Sequence, residues 1–412
     1  MSSLLPETDS EDELPAAWEE RVASDGSVYY ADHLGQRTQW THPRTGKRKR
    51  VSAQLPFGWE QSGDGAFVER ASGRRSQTDP RLAFPVEEGG RLGPRQRFDA
   101  SSTAMQVLHG RNLEGQTAVI TGGSSGIGLE TALTLALHGC DVVIACRSAD
   151  AVAKAIAQAK AKKPSTKLSF LPLDLASLQS VRDFATALAQ QRQHLDMLIL
   201  NAGVFAIPHS ITEDGFERTF QVNHLGQFYL TMLLEPLLVA SVPARVVVLS
   251  SESHRFSFLS AANLSEDRLS NPTGRGFYSM LVYNDTKLCN MLFAAELDRR
   301  WGSRGVRAYA VHPGNMMFTG LPRESWLYWT LFLLARPFTK SLAQGAATTV
   351  LCATAPELAD AGGAYFNNCC QCRPSAAAED EVLAGLLWKT SQAMISRVLL
   401  QVGGGNAEHS LT

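Results

Sequence analysis

A glycine-rich turn between an apolar strand and an amphipathic helix constrains this chain more than any other feature. Residues 116–120 read Gln-Thr-Ala-Val-Ile, a short buried strand, and the turn leads into a helical pattern that runs to His138. Glycines at such a junction let the backbone approach a pyrophosphate, and the helix N-terminus offers that anion free N–H groups. The predicted dinucleotide site comprises Thr121, Gly122, Gly123, Ser124, Ser125, Gly126, Ile127 and Gly128.

Beyond residue 110, apolar strand-like runs alternate with helical patterns. This alternation predicts an α/β fold, with crossover units on a doubly wound parallel sheet. Three of the runs end in small or polar residues, and the carboxyl ends of parallel strands line the ligand crevice of such a sheet. We predict one long helix from Phe216 to Ala240, which carries Asn223. The residues expected at the crevice are Asp174, Asn201, Ala202, Gly203, Ser250 and Ser251.

The residue after the second strand indicates which dinucleotide binds. Val142–Ala145 is followed by Cys146-Arg147-Ser148, where an NAD site would place Asp or Glu. An acid there hydrogen-bonds the ribose 2′-hydroxyl, whereas an arginine complements a 2′-phosphate. We therefore expect NADP(H), with Arg147 at the 2′-phosphate, and NAD(H) is the alternative.

A tyrosine and a lysine four residues apart, Tyr283 and Lys287, share one helical face. A phenol is a poor acid or base at neutral pH, but a neighbouring cation stabilises the phenolate and lowers the pKa of the phenol. Tyr283 could then exchange a proton with a substrate oxygen while the cofactor exchanges hydride, and Ser251 could hydrogen-bond that oxygen. Tyr278 is a weaker candidate, since Val282 lies four residues after it.

The first 85 residues contain an imperfect repeat rich in aromatic residues and prolines. Turn signals around the aromatic runs predict two small three-stranded antiparallel sheets, each marginally stable alone. In the first copy, strand alternation places Tyr29 and Trp40 on the face opposite Trp18 and Tyr30, which predicts an exposed groove for a polyproline II ligand. The shared landmarks are Leu14-Pro15-x-x-Trp18-Glu19 and Pro43 in the first copy, and Leu55-Pro56-x-x-Trp59-Glu60 and Pro80 in the second.

The second copy keeps its anchors but lacks both walls of that groove. Aligned on the terminal proline, Gln77 takes the place of Trp40 and Ala66 takes the place of Tyr29, whereas Trp59 and Phe67 remain. We predict that this copy binds no proline motif, folds poorly alone and braces the first copy.

A basic run separates the two copies, and such runs are typical of nuclear import signals or of solvated linkers. The net charge of −1 argues against a dedicated nucleic-acid binder. The acidic N-terminus lacks the pattern of a signal peptide, and the longest apolar run is too short to cross a bilayer. We therefore expect a soluble cytosolic protein with no transmembrane segment. The candidate nuclear localisation residues are Lys47, Arg48, Lys49 and Arg50.

The cysteines indicate neither disulfides nor a metal. Seven cysteines with irregular spacing do not form a secreted disulfide framework, so a reducing compartment is expected. Cys369-Cys370-Gln371-Cys372 lacks both the paired spacing and the fourth ligand of a zinc site, and we predict no metal. Trp326–Phe338 is predicted to form a helix over the substrate cleft, with a lipid contact as the alternative.

The first repeat copy resembles a WW domain, on the pattern Leu14, Trp18, Tyr29-Tyr30, His33, Thr38, Trp40 and Pro43. This resemblance implies a Pro-Pro-x-Tyr partner whose proline pair is gripped by two aromatic rings. It also implies that Ala31, His33 and the Arg37 region hold the tyrosine of the ligand. The peptide-binding residues would be Tyr29, Ala31, His33, Thr38 and Trp40.

The later part resembles the short-chain dehydrogenase/reductase family over about residues 105–375. The matching motifs are Thr121-Gly-x-x-x-Gly126-x-Gly128, Asp174-Leu175, Asn201-Ala-Gly203, Asn223, Ser251, Tyr283-x-x-x-Lys287 and Pro313-Gly314. The resemblance implies a seven-stranded Rossmann sheet and a catalytic set of Asn223, Ser251, Tyr283 and Lys287. In that set Asn223 would hold a water of the proton relay and Lys287 would also contact the nicotinamide ribose. Pro313 and Gly314 would lie beside the nicotinamide.

Two runs, Gln221–Gly226 and Ser250–His254, are most similar to the retinol dehydrogenase branch of that family. This implies a small lipophilic alcohol or carbonyl substrate, steroid-like or retinoid-like. Because Ser251 and Tyr283 are widely separated, residues 252–280 are predicted to form an inserted loop over the site.

The sequence therefore predicts a proline-motif binder fused to an NADP-dependent oxidoreductase, and a signalling adaptor that only binds cofactor is the alternative. Fusions of this kind, by resemblance, are associated with apoptosis, tumour suppression and Wnt-pathway control, in cytoplasm, nucleus and mitochondrion. Homo-oligomer formation stays open. The predicted parts are a ligand-binding WW domain (14–46), a basic linker (47–54), a degenerate WW domain (55–84), a linker (85–104), the reductase domain (105–375) and a C-terminal helix and tail (376–412).

Overall fold

The computed structural model describes residues 14–402, except residues 16, 45, 47, 53, 57, 71–72, 84–85, 89–97, 272 and 315–339. The chain divides into two compact units. One consists of residues up to 97 together with His109–Leu113, and the other consists of Phe98–Leu108 and the residues from Glu114 onward. Lys47 and the helix predicted at Trp326–Phe338 lie outside the described residues.

The first unit contains the two three-stranded antiparallel sheets that the repeat predicts, in the orders β1-β2-β3 and β5-β6-β7. A further pair, β4 and β8, forms a two-stranded antiparallel sheet from segments on either side of the second repeat copy. The strands are β1 (Trp18–Val22), β2 (Val28–Asp32), β3 (Arg37–Gln39), β4 (Arg48–Arg50), β5 (Trp59–Gln61), β6 (Phe67–Glu69), β7 (Arg75–Ser76) and β8 (Val86–Glu88).

The core of the first sheet is built from alternate residues of β2 and from the linker that follows the sheet. Val28 and Tyr30 are buried on one face of β2, and Val51, which follows the basic run, packs with them. The ring of Tyr30 also meets that of His42 edge to face, with centroids 5.2 Å apart. A sheet this small buries little apolar area, so the linker residue completes a core that the three strands alone would leave open.

The basic run is part of the first unit's structure. Lys49 lies in the middle of β4 with only 9% of its side chain exposed, and its Nζ is 3.4 Å from Oε1 of Glu20. The next residue anchors the strand, because the N–H of Val51 donates to the carbonyl of Gly26 at 2.8 Å. The solvated-linker interpretation is therefore wrong for Lys49.

An eight-stranded sheet organises the second unit, in the order β11-β10-β9-β12-β13-β14-β15-β16. Seven strands run parallel, as the sequence predicts, and β16 adds an antiparallel edge strand that the sequence interpretation missed. Asn368 and Cys369, both with positive φ, form the two-residue turn that a tight hairpin requires. The strands are β9 (Thr117–Thr121), β10 (Asp141–Cys146), β11 (Leu168–Pro172), β12 (Met197–Leu200), β13 (Ala244–Leu249), β14 (Val306–His312), β15 (Tyr365–Asn367) and β16 (Cys370–Cys372).

The helix predicted from Phe216 to Ala240 is divided into segments. Gln221–Leu225 form a π-helical stretch around Asn223, and a second break falls at Leu234, two residues before a proline that lacks the N–H for a helical bond. The helices are α1 (Ala104–Val107), α2 (Gly126–Leu137), α3 (Ala149–Lys162), α4 (Leu178–Gln191), α5 (Arg218–Phe220), α6 (Gly226–Leu233), α7 (Glu235–Ala240), α8 (Glu266–Ser270), α9 (Ser279–Trp301), α10 (Leu342–Thr354) and α11 (Glu381–Val402).

The final helix, α11, closes the core beside α6 and α9. Its Trp388 is 4% exposed and meets the ring of Phe228 edge to face, with centroids 5.0 Å apart, and it lies 6.0 Å from the ring of Phe293. The guanidinium of Arg300 covers the indole at 4.5 Å. Such aromatic contacts add to the area that the helix buries, so α11 belongs to the core of the second unit.

Candidate functional site

The glycine turn at the end of β9 has no room for side chains. Gly122 has φ +67°, and a Cβ there would lie 2.8 Å from the Cα of Ala202. A Cβ at Gly128 would lie 2.4 Å from the Nδ2 of Asn201 and 2.6 Å from the carbonyl oxygen of Gly122. The turn is thus packed against the end of β12, with no space for a side chain at Gly122 or Gly128.

This packing predicts the effect of adding one methyl group. Gly128→Ala should destabilise the second unit by about 1–3 kcal/mol, because neither the backbone oxygen nor the clamped amide can move away. Gly385→Ala in α11 is the matched control: nothing lies within 4 Å of its added Cβ, so the second unit should gain about 0.5–1 kcal/mol. Chemical denaturation monitored by circular dichroism measures both. Equal effects of the two changes would contradict the tight packing.

Hydrogen bonds tie the glycine turn to the strand beside it. The Nδ2 of Asn201 donates to the carbonyls of Thr121 at 2.9 Å and Gly122 at 3.3 Å. The N–H of Ala202 donates to Oγ1 of Thr121 at 3.0 Å. The structure therefore brings together two motifs that the sequence analysis assigned separately to the crevice.

Gln227 joins these motifs to the π-helical stretch that carries Asn223, and the sequence analysis missed it. Its Oε1 accepts from the Thr121 hydroxyl at 2.9 Å, while its Nε2 donates to the carbonyls of Ala202 at 3.1 Å and Asn223 at 2.9 Å. The signal was available, since Gln227 lies four residues after Asn223 on the same helical face. The Gln227 amide is buried, and both its oxygen and its nitrogen are hydrogen-bonded. It therefore fixes the glycine turn, the end of β12 and the stretch around Asn223 relative to one another.

The residues around the turn fit a dinucleotide. Helix α2 begins at the turn with no side chain capping its first N–H groups, so the helix N-terminus can meet a pyrophosphate. Cys146 ends β10, where its thiol donates to the carbonyl of Ser148 at 3.5 Å, and Arg147 follows that strand on the exposed surface. At the end of β11, a carboxylate oxygen of Asp174 accepts the N–H of Ala176 at 3.0 Å.

The predicted catalytic tyrosine, lysine and serine meet at the C-terminal end of β13. The side chain of Ser251 lies close enough to the Tyr283 hydroxyl to favour its phenolate form. The Nζ of Lys287 lies 5.4 Å from the centroid of the tyrosine ring and donates to the carbonyl of Leu249 at 3.2 Å. One helical turn of α9 thus places the phenol and the ammonium group on the same wall of the site.

Burial governs the acidity of both groups. It raises the pKa of Tyr283 to about 12, against the opposing hydrogen bond from Ser251, and it lowers the pKa of Lys287 to about 8. The expected lowering of the tyrosine pKa is therefore wrong for this structure, because desolvation of the phenolate outweighs other influences. At neutral pH the phenol carries its proton and can act as a proton donor.

Asn223 acts as a clamp on the loop after β12. Its Oδ1 accepts the N–H of Val204 at 2.7 Å, and its Nδ2 donates to the carbonyl of the same residue at 3.0 Å and to Oγ1 of Thr286 at 3.2 Å. The π-helical stretch around Asn223 is a feature often found at functional sites. The side chain thus links the loop to α9 beside Tyr283; its predicted role in holding a water stays a prediction.

Phe205, which the sequence analysis missed, forms part of the wall around Tyr283. The two rings meet edge to face with centroids 4.8 Å apart. The next residue, Ala206, has φ +50°, a conformation that costs energy for a residue other than glycine. No spacing signal marks Phe205 in the sequence, because its place depends on this unusual turn.

The segment predicted as an inserted loop is fastened to α9. Asp285, which is 6% exposed, accepts the Ser257 hydroxyl at 2.7 Å and pairs with the guanidinium of Arg268 in α8 at 2.7 Å. Burial raises the pKa of this carboxyl. Because Asp285 lies between Tyr283 and Lys287, the fastening point is next to the predicted catalytic groups.

Pro313 and Gly314 follow β14 at the same edge of the sheet. Gly314 has φ +109°, and a Cβ there would lie 2.7 Å from the Cδ of Lys340. The ammonium of Lys340 donates to Oδ1 of Asn368 at 2.5 Å. The residues expected beside the nicotinamide are thus braced by a lysine that the sequence analysis did not single out.

The first sheet of the other unit carries the predicted aromatic pair. The rings of Tyr29 and Trp40 meet edge to face with centroids 5.8 Å apart, and Trp40 is 53% exposed. Ala31 shares the face of Tyr29 and pairs with Thr38 across the sheet. These residues form one open surface, as the WW pattern predicts.

Two further residues of that prediction have partners. The Nε2 of His33 lies 2.9 Å from Oε2 of Glu19. Arg37 donates to Asp32 at 3.1 Å, and its guanidinium lies 5.6 Å from the ring of Trp18. Arg37 therefore lies on the face opposite the groove, because it pairs with the buried Asp32, and the expected contact of the Arg37 region with the ligand tyrosine stays a prediction.

The second sheet has the same register without the groove. Trp59 pairs with Glu69 as Trp18 pairs with Asp32, which places Ala66 at the position of Tyr29. Ala66 is fully buried and offers no exposed ring.

Neither a metal site nor a membrane span occurs in the described residues. No group of three His, Cys, Asp or Glu is arranged to hold an ion. No helix in this part of the chain is long and apolar enough to cross a membrane.

Two family models match the chain. The model for short chain dehydrogenase matches residues 116–263, and the model for the WW domain matches residues 14–43. A WW domain-containing oxidoreductase of Drosophila melanogaster is 49% identical over 406 residues, which are 96% of this chain and 98% of that protein. The chain belongs to the family of WW domain-containing oxidoreductases.

More distant matches cover the reductase part of this family. Retinol dehydrogenase 12 of Mus musculus is 40% identical over 279 residues, 68% of this chain and 86% of that enzyme. The crystal structure of an uncharacterized protein from Mycobacterium paratuberculosis is 30% identical, with a TM-score of 0.54, over 73% of this chain and 97% of that one. The predicted short-chain dehydrogenase fold and WW-type sheets are thus confirmed.

Proposed function

We propose that the chain is an NADP(H)-dependent oxidoreductase that reduces a lipophilic carbonyl compound or oxidises the corresponding alcohol. The observation that carries this proposal is the buried, protonated phenol of Tyr283, which lies beside Ser251 and Lys287. A phenol that keeps its proton at neutral pH favours the reductive direction, in which the tyrosine donates that proton.

The residues supply binding, orientation and a proton. When bound, the dinucleotide supplies hydride to the carbonyl carbon. Ser251 and the Tyr283 hydroxyl would hydrogen-bond the substrate oxygen, and Tyr283 would give its proton to that oxygen as negative charge develops there. The ammonium of Lys287 stabilises the phenolate that remains. Asn223 and Gln227 keep the surrounding loops in place.

A lipophilic substrate is supported by two observations. The ring of Phe205 lies against that of Tyr283, so the wall next to the reacting oxygen is aromatic. A relative named retinol dehydrogenase matches most of the reductase part. We therefore expect steroid-like or retinoid-like compounds to fit better than sugars or hydroxy acids.

The test is cofactor turnover by the purified full chain with a panel of retinoid, steroid and short aliphatic carbonyls. NADPH consumption with one of the lipophilic compounds is the expected result. If NADPH binds, as tryptophan fluorescence would report, yet the whole panel stays unreduced, the enzymatic proposal fails and the adaptor function gains.

Arg147 should decide between the two dinucleotides. Arg147→Ser removes the cation placed for a 2′-phosphate, and loss of such a charged hydrogen bond should weaken NADPH binding about 10- to 100-fold while NADH binding stays unchanged. Arg182→Ser on the exposed surface of α4 is the control and should change neither affinity. Fluorescence titration measures both, and an equal loss for NADH and NADPH would contradict the assignment.

We propose as a second function that the first WW module binds Pro-Pro-x-Tyr segments of signalling proteins. The exposed Trp40 and its contact with Tyr29 support it. By resemblance, such partners would connect the chain to apoptosis, tumour suppression and Wnt-pathway control. This function does not depend on turnover, so both proposals can hold.

For location we propose the cytoplasm and the nucleus, with the mitochondrion as a further site implied by resemblance. The basic residues Arg48, Lys49 and Arg50 support nuclear import. Since Lys49 is paired with Glu20 inside a strand, an import receptor would have to release β4 to reach it.

A further inference from the structure

His254 is a buried titratable group close to the proposed catalytic set but outside it. It lies three residues after Ser251 in a 3-10 turn and is 1% exposed. Its Nδ1 is 2.7 Å from the carbonyl oxygen of Ser251, and its Nε2 is 3.1 Å from the backbone nitrogen of Ser375. One imidazole therefore joins the catalytic serine to the segment after β16.

The two partners of the ring fix its protonation state. The carbonyl of Ser251 can only accept, so Nδ1 must carry a hydrogen. The N–H of Ser375 can only donate, so Nε2 must offer a lone pair. Only the neutral Nδ1–H tautomer of His254 satisfies both bonds, and an imidazolium would set its second N–H against that of Ser375.

The groups that surround the ring are compatible with a neutral imidazole. Burial lowers the pKa of His254, with Arg255 acting in the same direction, while the bond to Ser251 and the charge of Glu252 oppose them. The ring of Tyr365 from β15 meets the imidazole edge to face at 5.4 Å. Glu252 is held away by the Tyr365 hydroxyl and the Arg255 guanidinium, each at 2.6 Å.

The carbonyl that His254 holds belongs to Ser251, whose hydroxyl has partners of its own. Oγ of Ser251 accepts the N–H of Ser253 at 3.3 Å and lies close enough to Tyr283 to lower the pKa of the phenol. The backbone N–H of His254 also donates to the Ser251 carbonyl, at 3.0 Å. The backbone N–H and the Nδ1–H of His254 thus both hold the Ser251 carbonyl, which fixes its peptide plane and the orientation of the serine hydroxyl.

We propose that neutral His254 is a positioning residue, which holds the Ser251 carbonyl through Nδ1–H and thereby keeps the serine hydroxyl on Tyr283. The proposal rests on the proposed oxidoreductase function for its kinetic consequence. Its structural part, the tautomer and its two bonds, does not depend on turnover.

Two substitutions distinguish the effects of the two hydrogen bonds made by the His254 ring. In His254→Asn the side-chain NH2 can occupy the place of Nδ1–H and keep the bond to Ser251. In His254→Gln the longer side chain can place its oxygen near Nε2 and keep only the bond from Ser375. We expect kcat to fall about tenfold in the Gln variant with KM little changed, since the serine loses its orientation. The Asn variant should stay within about threefold of the unsubstituted chain.

The pH dependence provides a second measurement. Protonation of His254 would set an Nε2–H against the N–H of Ser375 and displace the ring from the Ser251 carbonyl, so activity should fall at a pH below the ordinary histidine pKa, where the lowered pKa of the ring lies. The pH–activity profile of the His254→Asn variant should lack this fall at acidic pH. A larger loss in the Asn variant than in the Gln variant, or an unchanged fall at acidic pH, would overturn the proposal.

Nitrogen-15 NMR of the full chain labelled at histidine tests the structural part separately. We expect the His254 ring to show the Nδ1–H tautomer at neutral pH, with or without NADPH. An Nε2–H tautomer or an imidazolium would overturn the inference whatever the turnover. The correct tautomer in a chain without turnover would support the inference while the proposed function failed.

Discussion

Replacing Tyr283 by phenylalanine should reduce carbonyl reduction about 100- to 10,000-fold, the range expected when a positioned general acid is removed. The ring and its edge contact with Phe205 would remain, since only the hydroxyl is deleted. The glycine turn, which is proposed to bind the dinucleotide, follows β9 and is not changed by a substitution in α9, so NADPH affinity should stay the same. Steady-state kinetics and a fluorescence titration of the same preparation measure the two quantities.

Tyr278→Phe is the matched control for this result. Tyr278 precedes α9 and is 58% exposed, so loss of its hydroxyl should leave turnover unchanged. Ser251→Ala should lower kcat as well, because it removes the partner of the phenol. Turnover by the Tyr283→Phe protein equal to that of the Tyr278→Phe protein would disprove the assignment of the proton donor.

Replacing Tyr29 by alanine should weaken binding of a Pro-Pro-x-Tyr peptide about 30-fold or more, the loss typical of an aromatic residue at the centre of an interface. The reason is twofold: the peptide loses one wall of its groove, and Trp40 loses the ring that supports it at 5.8 Å. Titration of the full chain with a labelled peptide, followed by fluorescence anisotropy, gives the dissociation constant.

The second WW module provides the control for the Tyr29→Ala prediction. Gln77 occupies the position of Trp40 by alignment, and Gln77→Ala should leave the peptide affinity unchanged. Hydrogen exchange at β2 should show that the Tyr29→Ala module is still folded, because Tyr29 lies on the face opposite the buried Tyr30. Similar losses in the two variants would mean that the second module also binds peptide.

The sequence was sufficient for those parts of the structure that depend on local pattern. The turn from Thr121 to Gly128 is recognisable because strand, glycines and helix are contiguous, and Tyr283 and Lys287 are recognisable by their helical spacing. Alternation along β2 was enough to assign Tyr29 and Tyr30 to opposite faces. The comparisons confirm the short-chain dehydrogenase fold and the WW-type sheets.

The missed features depend on contacts between distant segments. Val51 completes the core of the first module from outside its three strands, and Phe205 reaches Tyr283 through a strained turn. His254 is paired with a backbone group 121 residues away. The acidity of Tyr283 was misjudged because burial, which has no local signature, raises the pKa of its phenol.

The aromatic cluster around Trp388 has a consequence for how the chain is made. Domains fold as they leave the ribosome, the N-terminal ones first. The WW modules can therefore fold early, whereas α6 and α9 keep Phe228 and Phe293 uncovered until the last segment has been synthesised. Nascent chains therefore expose an aggregation-prone aromatic surface until late in translation. A stop codon before residue 381 would leave that surface exposed permanently.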